Sequence, residues 1–431
     1  MNYLPRLPAN PYTTPVFVTV ILSLLALTSF GLLLGQFLAA WRFPLHRRVV
    51  DDSFAPPVVL LKPLKGFDEH TAGCLRSWLT QNYRGPVRVL FGVADADDPV
   101  IPLVRELLKE FPGLAAEVVI TGQPHGPNAK VANLSRLYEK LLADDRPGAQ
   151  AGELLVISDA DVHAPKDFLS NAVAPLRDAS VGLNNCFYRL ANPATLAMHW
   201  EAVAVNADFW SQVLQANTIK PQDFALGAAM VMRRATFEQA GGFEVLLDFL
   251  ADDYQLGRRI AQTGARIVLS PVVVECRDRP MDFRAVWTHQ LRWARAIRVS
   301  QPGPYFLSIL AHALFWATLL ALFGDLGGFP LVPDALLYSR AFPHEMQNAL
   351  ALLRVPWVLV VFFTVLVTRV LLAAALQERL TQQRGALRYW WLVPAKDFLQ
   401  TGLWAAAFLG HTVEWGGRKF RLTRDGRLTP L

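Results

Sequence analysis

The sequence contains few charged residues and few cysteines. Only 18% of its 431 residues are charged and 52% are hydrophobic, whereas about a quarter of the residues in an average soluble domain are charged. The 3 cysteines are too few and too far apart for a disulfide framework or a zinc cluster. No dense basic run is interleaved with aromatic residues, which argues against a nucleic-acid partner. If the excess hydrophobic residues were spread evenly along the chain, they would indicate a soluble enzyme with a large core. If they are clustered, they indicate a membrane protein with a soluble domain.

The hydrophobic residues are clustered, and the first cluster lies near the N-terminus. No charged residue occurs between Arg6 and Arg42, and residues 14–41 exceed the roughly 20 residues that span a bilayer. The apolar part of a signal peptide is shorter, about 7–15 residues. We therefore predict a transmembrane anchor within residues 1–50. Arginines at 42, 47 and 48 follow it, which predicts that the next segment is cytoplasmic, because cytoplasmic loops are rich in Lys and Arg.

Further apolar runs lie in the C-terminal part of the chain. Residues 299–323 carry no charge and residues 355–376 carry only Arg369, so we predict a transmembrane hairpin within 299–376. A last apolar stretch, 398–413, is shorter. If this stretch crossed the membrane, the basic residues of the tail would lie outside, whereas Lys and Arg are usually retained on the cytoplasmic side. For residues 377–431 we therefore predict an interfacial or re-entrant helix and a basic cytoplasmic tail.

Residues 51–298 have the composition of a soluble domain. Short runs rich in β-branched residues alternate there with helical patterns. The runs are 58–61, 87–93, 118–121 and 154–158, and the helical patterns are 69–80, 99–111 and 129–142. This alternation predicts an α/β fold with a mainly parallel sheet, whose functional groups lie just beyond the carboxyl ends of the strands.

Carboxylates follow two of these predicted strands. Asp159 and Asp161 come directly after the run 154–158, and hard oxygen ligands at this spacing suit Mg²⁺ or Mn²⁺ bound to a diphosphate. A solvated turn would have the same pattern. Asp95 follows the run 87–93 and is placed to hydrogen-bond a base or a ribose, whereas Asp98, before Pro99, suits the capping of the next helix.

Two other motifs contain groups suited to proton transfer or phosphate binding. Asp252 and Asp253 begin an amphipathic helical pattern, where the helix dipole favours acids. At most one of them can face a cleft, and a partly dehydrated carboxylate suits a general base for a hydroxyl. Lys130 follows a Gly-Pro turn at the start of a helical pattern. It is placed to reach a phosphate, or it belongs to an ordinary amphipathic helix.

The last motif is His-Gln-Leu-Arg-Trp at 289–293, within an amphipathic stretch. One interpretation is a guanidinium, Arg292, that clamps a phosphate, with the indole of Trp293 closing the acceptor site. The other is a membrane-surface helix whose Arg and Trp lie at the level of the lipid headgroups. Both can hold at once.

Taken together and in this order, the motifs resemble the ceramide glucosyltransferase family. They are KPLKG (62–66), VADADDP (93–99), GPNAKVANL (126–134), the DAD triplet, LGAAMVMRRATFEQAGGF (226–243), ADDY (251–254) and HxxRW. The resemblance covers residues 58–300 and includes the flanking spans. It implies a GT-A-type, Rossmann-like nucleotide-sugar domain with one transmembrane helix before it and two after it. Bacterial proteins resembling this family include hopanoid-pathway sugar transferases, so the acceptor stays open between ceramide and a hopanoid.

The resemblance implies inverting transfer of glucose or N-acetylglucosamine from a UDP-sugar to the hydroxyl of a membrane lipid. On the donor side, Asp95 would contact the nucleotide, and Asp159 with Asp161 would hold a diphosphate bound to a divalent metal, Mg²⁺ or Mn²⁺. The interpretation of Lys130 as a donor-phosphate ligand fits the same site.

On the acceptor side, the resemblance implies that Asp253 is the catalytic base and that Arg292 and Trp293 complete the site. Two positions depart from the family pattern. Asp252 stands where Glu is more usual, and His289 stands where Gln or Arg is more usual, which leaves the role of His289 open.

Two rival functions share part of this pattern. A processive polysaccharide synthase of the cellulose or hyaluronan type has the same acidic motifs and a QxxRW motif, but three spans cannot easily build a polymer channel. A transporter or receptor would place ionisable residues within its spans, and here Arg369 and, more weakly, His312 qualify. We expect a multi-pass membrane enzyme with a cytoplasmic catalytic domain, and the sequence indicates no protein partner.

Overall fold

An eight-stranded sheet forms the centre of the protein. The structure, a computed structural model, describes residues 13–49, 51–144, 152–324, 328–329, 343 and 355–431. The strands are β1 (Val58–Leu64), β2 (Val87–Val93), β3 (Ala115–Ile120), β4 (Leu154–Ser158), β5 (Val162–His163), β6 (Val181–Leu190), β7 (Ala229–Arg233), β8 (Arg266–Cys276), β9 (Gly328–Phe329), β10 (Val355–Pro356), β11 (Thr412–Trp415), β12 (Arg418–Leu422) and β13 (Leu428–Pro430). The sheet has the order β3-β2-β1-β4-β7-β6-β8-β5.

Helices cover the sheet and extend away from it. They are α1 (Thr13–Arg42), α2 (Thr71–Leu79), α3 (Val100–Lys109), α4 (Ala129–Asp144), α5 (Phe168–Val173), α6 (Leu196–Val203), α7 (Trp210–Ile219), α8 (Arg234–Gln239), α9 (Asp252–Gln262), α10 (Phe283–Ser300), α11 (Pro302–Leu307), α12 (Ala313–Phe323), α13 (Trp357–Thr381) and α14 (Leu392–Phe408). A π-helical turn, Ala204–Phe209, joins α6 to α7.

The first half of the sheet follows from the apolar pattern of its strands. Successive side chains of a strand point to opposite faces, and in β1 Val58 and Leu60 pack into one core layer while Val59 and Leu61 pack into the other. Both faces are therefore buried, as in parallel sheets covered by helices. Strands β3, β2, β1 and β4 pair in parallel. The predicted α/β class with a mainly parallel sheet is confirmed.

The second half of the sheet differs from a simple alternation of strands and helices. Strand β7 runs antiparallel between β4 and β6, and β6 pairs in parallel with β8. Because β7 is antiparallel to β4, its first residue, Ala229, pairs with the last residue of β4, Ser158. The segment before β7 therefore reaches the same sheet edge as the carboxylates after β4, and the amide of Asp159 donates to the carbonyl of Ala228 (3.3 Å).

Two described helices are long and apolar enough to cross a membrane. They are Phe17–Arg42, within α1, and Trp357–Thr381, which is α13. The apolar side chains of Phe17, Leu24 and Leu27 are more than half exposed, as expected of a surface that faces lipid. The span predicted at 299–323 is bent by 55° between Pro302–Ala311 and Ala313–Phe323, so it is a third candidate only if the bent pair counts as one span. Most of the predicted connection to α13 lies outside the described residues.

The C-terminal region contains a sheet that the apolar pattern does not predict. The stretch 398–413 was expected to be helical throughout, but α14 ends at Phe408 and β11 begins at Thr412. Here the helix gives way to an antiparallel pair, in which the β-branched residues Thr412 and Val413 face β12. The basic tail is therefore folded as the three-stranded sheet β11-β12-β13.

This C-terminal sheet packs on the segment that leads into α9. Leu428 donates its amide to the carbonyl of Asp248 (2.7 Å), and Leu250 donates to the carbonyl of Gly426 (3.4 Å). Arg427 forms an ion pair with Asp248 (2.9 Å). The apolar face of the sheet packs with Leu250. The sheet thus fixes the residues immediately before Asp252 and Asp253.

A buried group of four charges joins the helices next to the sheet domain. Arg369 of α13 donates to the carboxylates of Asp208, in the π-helical turn (2.7 Å), and Asp397, in α14 (3.0 Å). Lys396 pairs with Asp397 (2.6 Å) and with Asp208. All four side chains are largely buried. The one charge inside the third predicted span is therefore neutralised by structural ion pairs.

We expect Arg369→Met to destabilise the protein strongly. The substitution leaves two buried carboxylates with a single cation, and breaking a buried ion pair typically costs about 3–5 kcal/mol. Thermal unfolding in detergent measures this loss. Val367→Ala, on an exposed part of the same helix, is the matched control and should change stability by no more than about 0.5 kcal/mol. Equal unfolding temperatures for Arg369→Met and the wild type would contradict a stabilising role of the ion-pair group.

Candidate active site

The carboxyl ends of β2 and β4 carry the acids that the sequence analysis singles out. Asp95 lies just after β2 and is exposed, with its carboxylate accepting a hydrogen bond from the amide of Asp97 (3.0 Å). Asp98 accepts from the amides of Val100 (2.9 Å) and Gly66 (2.9 Å). It therefore caps α3 and also fixes the loop after β1, where Gly66 has a φ of 64° that favours glycine.

Asp159 and Asp161 follow β4 and lie in different environments. The side chain of Asp159 is partly exposed. Burial, followed by the charge of Asp159, raises the pKa of Asp161 to about 7. Within the described residues, no group of three or more His, Cys, Asp or Glu side chains is arranged to hold a metal ion. The two carboxylates alone could therefore bind a cation only if a ligand supplied further oxygen atoms.

A lysine that the sequence analysis did not select lies beneath these carboxylates. Lys62 of β1 is fully buried, and its Nζ donates to the carbonyl of Asp159 (2.5 Å) and the hydroxyl of Ser158 (3.3 Å). Burial lowers its pKa to about 8, although the charge of Asp161 opposes the shift. A lysine within the otherwise apolar run VVLLKPL was the sequence signal for this position.

Lys130 connects the acids after β4 with the acids of α9. Its Nζ lies 2.7 Å from a carboxylate oxygen of Asp159 and 3.3 Å from one of Asp252. Burial opposes its charge, but the charges of Asp159 and Asp252 outweigh burial and raise the pKa of Lys130. The ammonium group is therefore a fixed positive charge between two predicted parts of the site.

Asn128 explains why Lys130 lies there. Its Oδ1 accepts from the amide of Val131 (3.0 Å), which caps the first turn of α4, and its Nδ2 donates to the carbonyl of Phe249 (2.7 Å). The backbone amide of Asn128 also donates to the carbonyl of Leu247 (2.9 Å). One fully buried side chain thus ties the start of α4 to the segment before α9.

Asp253 lies in the first turn of α9, beside the segment that precedes β7. Its Oδ1 accepts a hydrogen bond from the amide of Tyr254 (2.7 Å). Burial, followed by the charge of Asp252, raises the pKa of Asp253 to about 6. Gly227 gives the carboxylate its space, because a Cβ at that position would lie 2.7 Å from Oδ2 of Asp253.

Helix α10 carries both Arg292 and Trp293, and the two side chains have different neighbours. Burial lowers the pKa of Arg292, against the charges of Glu201 and Asp159, so its guanidinium lies within electrostatic reach of both acids. The Trp293 ring packs edge-on against Tyr188 of β6, with ring centroids 6.4 Å apart. The centroid of the Trp293 ring also lies 4.6 Å from that of the His289 ring.

Glu201 of α6 holds this part of α10 and was missed from the sequence. Its Oε1 accepts from Nδ1 of His289 (2.7 Å) and from Nε2 of Gln290 (2.8 Å). Only 1% of the residue is exposed. A glutamate in an apolar helical stretch does not by itself indicate this role, because its partners lie nearly ninety positions away in the sequence.

The structure therefore brings together most of the predicted site residues. Asp159, Lys130 and Asp252 are joined by ion pairs, and the charges of Asp252, Lys130 and Asp159 act on Asp253. Arg292 is linked to the group electrostatically through Asp159. Among the described residues, no hydrogen bond or ion pair joins Asp95 to the group.

Comparisons with known proteins agree with the motifs. The family model of glycosyl transferase family 21 matches residues 21–332 and 328–428. Ceramide glucosyltransferase 1 of Caenorhabditis elegans is 21% identical over 389 residues, which cover 90% of this chain and 76% of that protein. Ceramide glucosyltransferase of Candida albicans is 31% identical over 137 residues, which cover 29% of this chain and 24% of that protein.

Among solved structures, a mannosyltransferase from Pyrobaculum calidifontis in complex with GDP-Man and Mn²⁺ is similar at 22% identity. The match covers 91% of this chain and 99% of that one, with a TM-score of 0.45. The family model spans nearly the whole chain, including most of α1, the sheet domain and α13. The predicted resemblance is confirmed, and the chain belongs to glycosyl transferase family 21.

Proposed function

We propose that the protein transfers a sugar from a UDP-sugar to the primary hydroxyl of a ceramide-like membrane lipid, with inversion at the anomeric carbon. The observation that carries the proposal is Asp253, a partly buried carboxylate in the first turn of α9 whose pKa is raised to about 6 by burial and by the charge of Asp252. It lies beside the Lys130 to Asp159 ion pair, where a diphosphate would bind. The relatives named ceramide glucosyltransferases support the class of acceptor.

The donor would bind at the carboxyl edge of the sheet. Asp95 is exposed just after β2, where it can accept hydrogen bonds from the uracil or the ribose. Asp159 and Asp161 would hold a divalent cation whose remaining oxygen ligands come from the diphosphate. When bound, such a cation neutralises charge on the leaving diphosphate. Lys130, already between Asp159 and Asp252, would contact the same phosphates.

Transfer requires one proton to be removed from the lipid. Asp253 accepts the hydroxyl proton while the hydroxyl oxygen forms a bond to the anomeric carbon, and the bond between that carbon and the diphosphate oxygen breaks. The pKa of about 6 keeps Asp253 deprotonated at neutral pH and still basic enough to take the proton. The guanidinium of Arg292 stabilises the negative charge that develops on UDP.

The acceptor would reach this base from the bilayer. Helix α10 carries Arg292 and Trp293, and Val286 and Trp287 of the same helix pack with α14 and α6. In this arrangement α1, the bent pair α11–α12 and α13 would cross the membrane, and the basic residues after α1 and α13 support a cytoplasmic sheet domain. A ceramide headgroup at the interface would then lie over Trp293, with its primary hydroxyl directed to Asp253.

The two rival functions find less support. A polymer channel needs more spans than the two or three candidates among the described residues. The charges that would suit a transporter, Arg369 foremost, are engaged in buried ion pairs with Asp208 and Asp397. A hopanoid remains an acceptor to be tested, and mass spectrometry of the lipids from cells with and without the gene would identify the backbone that loses its sugar.

Asp253→Asn should reduce transfer by about 10²- to 10⁴-fold, the usual contribution of a general base. The measurement uses protein in lipid nanodiscs, radiolabelled UDP-glucose or UDP-N-acetylglucosamine, and ceramide, with the labelled lipid counted. Binding of the UDP-sugar should stay close to that of the wild type. Asp51→Asn, which removes an exposed acid paired with Arg177, is the matched control and should keep activity within about twofold. Wild-type turnover in Asp253→Asn would rule out Asp253 as the base.

The rate of transfer should fall in acid. Asp253 acts as a base only when deprotonated, and its pKa is raised to about 6. We therefore expect kcat/KM for ceramide, at saturating donor, to be constant above this pKa and to fall about tenfold per pH unit below it. A profile that stays flat through this pH would contradict the assignment.

Cysteine labelling should report a cytoplasmic C-terminal sheet. The native Cys74, Cys186 and Cys276 are buried, so a single introduced thiol dominates reaction with a membrane-impermeant maleimide. Arg424→Cys, on the exposed face of the tail, should react only after the cells are permeabilised. Ser339→Cys, in the connection outside the described residues, should react in intact cells. The reverse pattern would invert the proposed topology.

A further inference from the structure

His289 stands out because the transfer chemistry described above does not use it. Its Nδ1 lies 2.7 Å from Oε1 of Glu201, and 26% of its side chain is exposed, against 2% for that of Glu201. A buried carboxylate therefore holds Nδ1 of an imidazole that is itself partly exposed to solvent. In the described part of the chain, Nε2 of His289 has no hydrogen-bond partner.

The pairing fixes the hydrogen-bonding character of the ring. A carboxylate only accepts hydrogen bonds, so Nδ1 carries the proton and donates it to Glu201. Nε2 is then free to accept a hydrogen bond from a hydroxyl or an amide N–H, and the ring orientation is set before any ligand arrives. A side chain held in this way is suited to recognise one polar group at one position.

The position of His289 relative to the reacting groups indicates which substrate it meets. His289 and Trp293 are four residues apart on α10, so they share a face of the helix, and their rings lie 4.6 Å apart. Trp293 also packs edge-on against Tyr188 of β6, with ring centroids 6.4 Å apart. His289 is therefore an immediate neighbour of the indole over which the headgroup is proposed to lie. A headgroup over the indole, with its reacting hydroxyl toward Asp253, would direct its next polar group to His289.

We propose that His289, oriented by Glu201, forms a subsite that recognises a second polar group of the acceptor headgroup, next to the hydroxyl that receives the sugar. The inference rests on the proposed function, because it requires a lipid acceptor over Trp293. In a ceramide this second group is the hydroxyl at carbon 3. Glu201 acts as a positioning residue, and His289 makes the contact.

A purely structural role, in which Glu201 only anchors α10 to α6, is the alternative that the experiment must distinguish from acceptor recognition. Gln290 offers the matched control, because it donates to the same oxygen of Glu201 (2.8 Å) and contacts Gln400 of α14 (3.3 Å). Gln290→Leu removes these contacts and leaves His289 intact. If Glu201 only anchors α10, then Gln290→Leu and His289→Phe should affect the enzyme alike.

The experiment measures kcat/KM for two short-chain acceptors, ceramide and 3-deoxyceramide, in the wild type and in His289→Phe, His289→Gln, Glu201→Gln and Gln290→Leu. We expect the wild type to favour ceramide. His289→Phe should lower kcat/KM for ceramide about tenfold to hundredfold, the effect of losing one buried hydrogen bond, and should change the value for 3-deoxyceramide by less than about threefold. The KM for the UDP-sugar should stay within about twofold of the wild-type value.

The remaining variants sharpen the interpretation. Glu201→Gln should lose the preference for ceramide in part. His289→Gln should retain part of this preference, because the side-chain carbonyl of the introduced Gln can accept a hydrogen bond. Gln290→Leu should keep the full preference. An equal loss on both acceptors in His289→Phe, or a ceramide-selective loss in Gln290→Leu, would overturn the subsite while leaving the proposed function in place. A wild type that transfers no sugar from any UDP-sugar to either lipid would instead refute the proposed function, and the subsite with it.

Discussion

Like charges are held together at the carboxyl edge of the sheet by two lysines, the buried Lys62 and the partly buried Lys130. Asp159, Asp161, Asp252 and Asp253 come from two distant parts of the chain, and in isolation they would repel one another. Lys130 bridges Asp159 and Asp252, and Lys62 supports the backbone of Asp159 from below. The rest of the site depends on this compensation, because it lets a carboxylate stay partly dehydrated and basic without pushing its neighbours apart.

The support for these charges comes from ordinary folding contacts rather than from the acids themselves. The antiparallel β7 brings Gly227 to the edge of β4 and leaves room for Asp253. Asn128 joins the start of α4 to the segment before α9. The C-terminal sheet holds the same segment from the other side. Three unrelated parts of the sequence thus determine where the first turn of α9 begins.

Sequence reasoning succeeded where a signal is local. The alternation of apolar runs predicted β1 to β4 with α2 to α4, because a doubly covered strand is apolar throughout its length. It failed where the signal depends on tertiary pairing. The sequence of β7 does not indicate that this strand runs antiparallel to β4. Glu201 contacts His289 only when α10 folds against α6. The helix predicted over 398–413 was wrong at its end, because Val413 is buried in a strand rather than in a helix. Arg369 was ambiguous for the same reason, since its partners at 208 and 397 are distant in sequence.

The C-terminal sheet has a consequence for the order in which the protein matures. During synthesis, residues 248–250 leave the ribosome long before residues 426–428, with which they form backbone hydrogen bonds, and α10 to α14 are made in between. The loop that precedes Asp252 therefore lacks its C-terminal partners until the membrane helices have been translated. A chain that has completed only its sheet domain would hold this loop through Asn128 but not through the C-terminal sheet. Competence for transfer is thereby coupled in time to the synthesis of the part that holds the enzyme at its lipid.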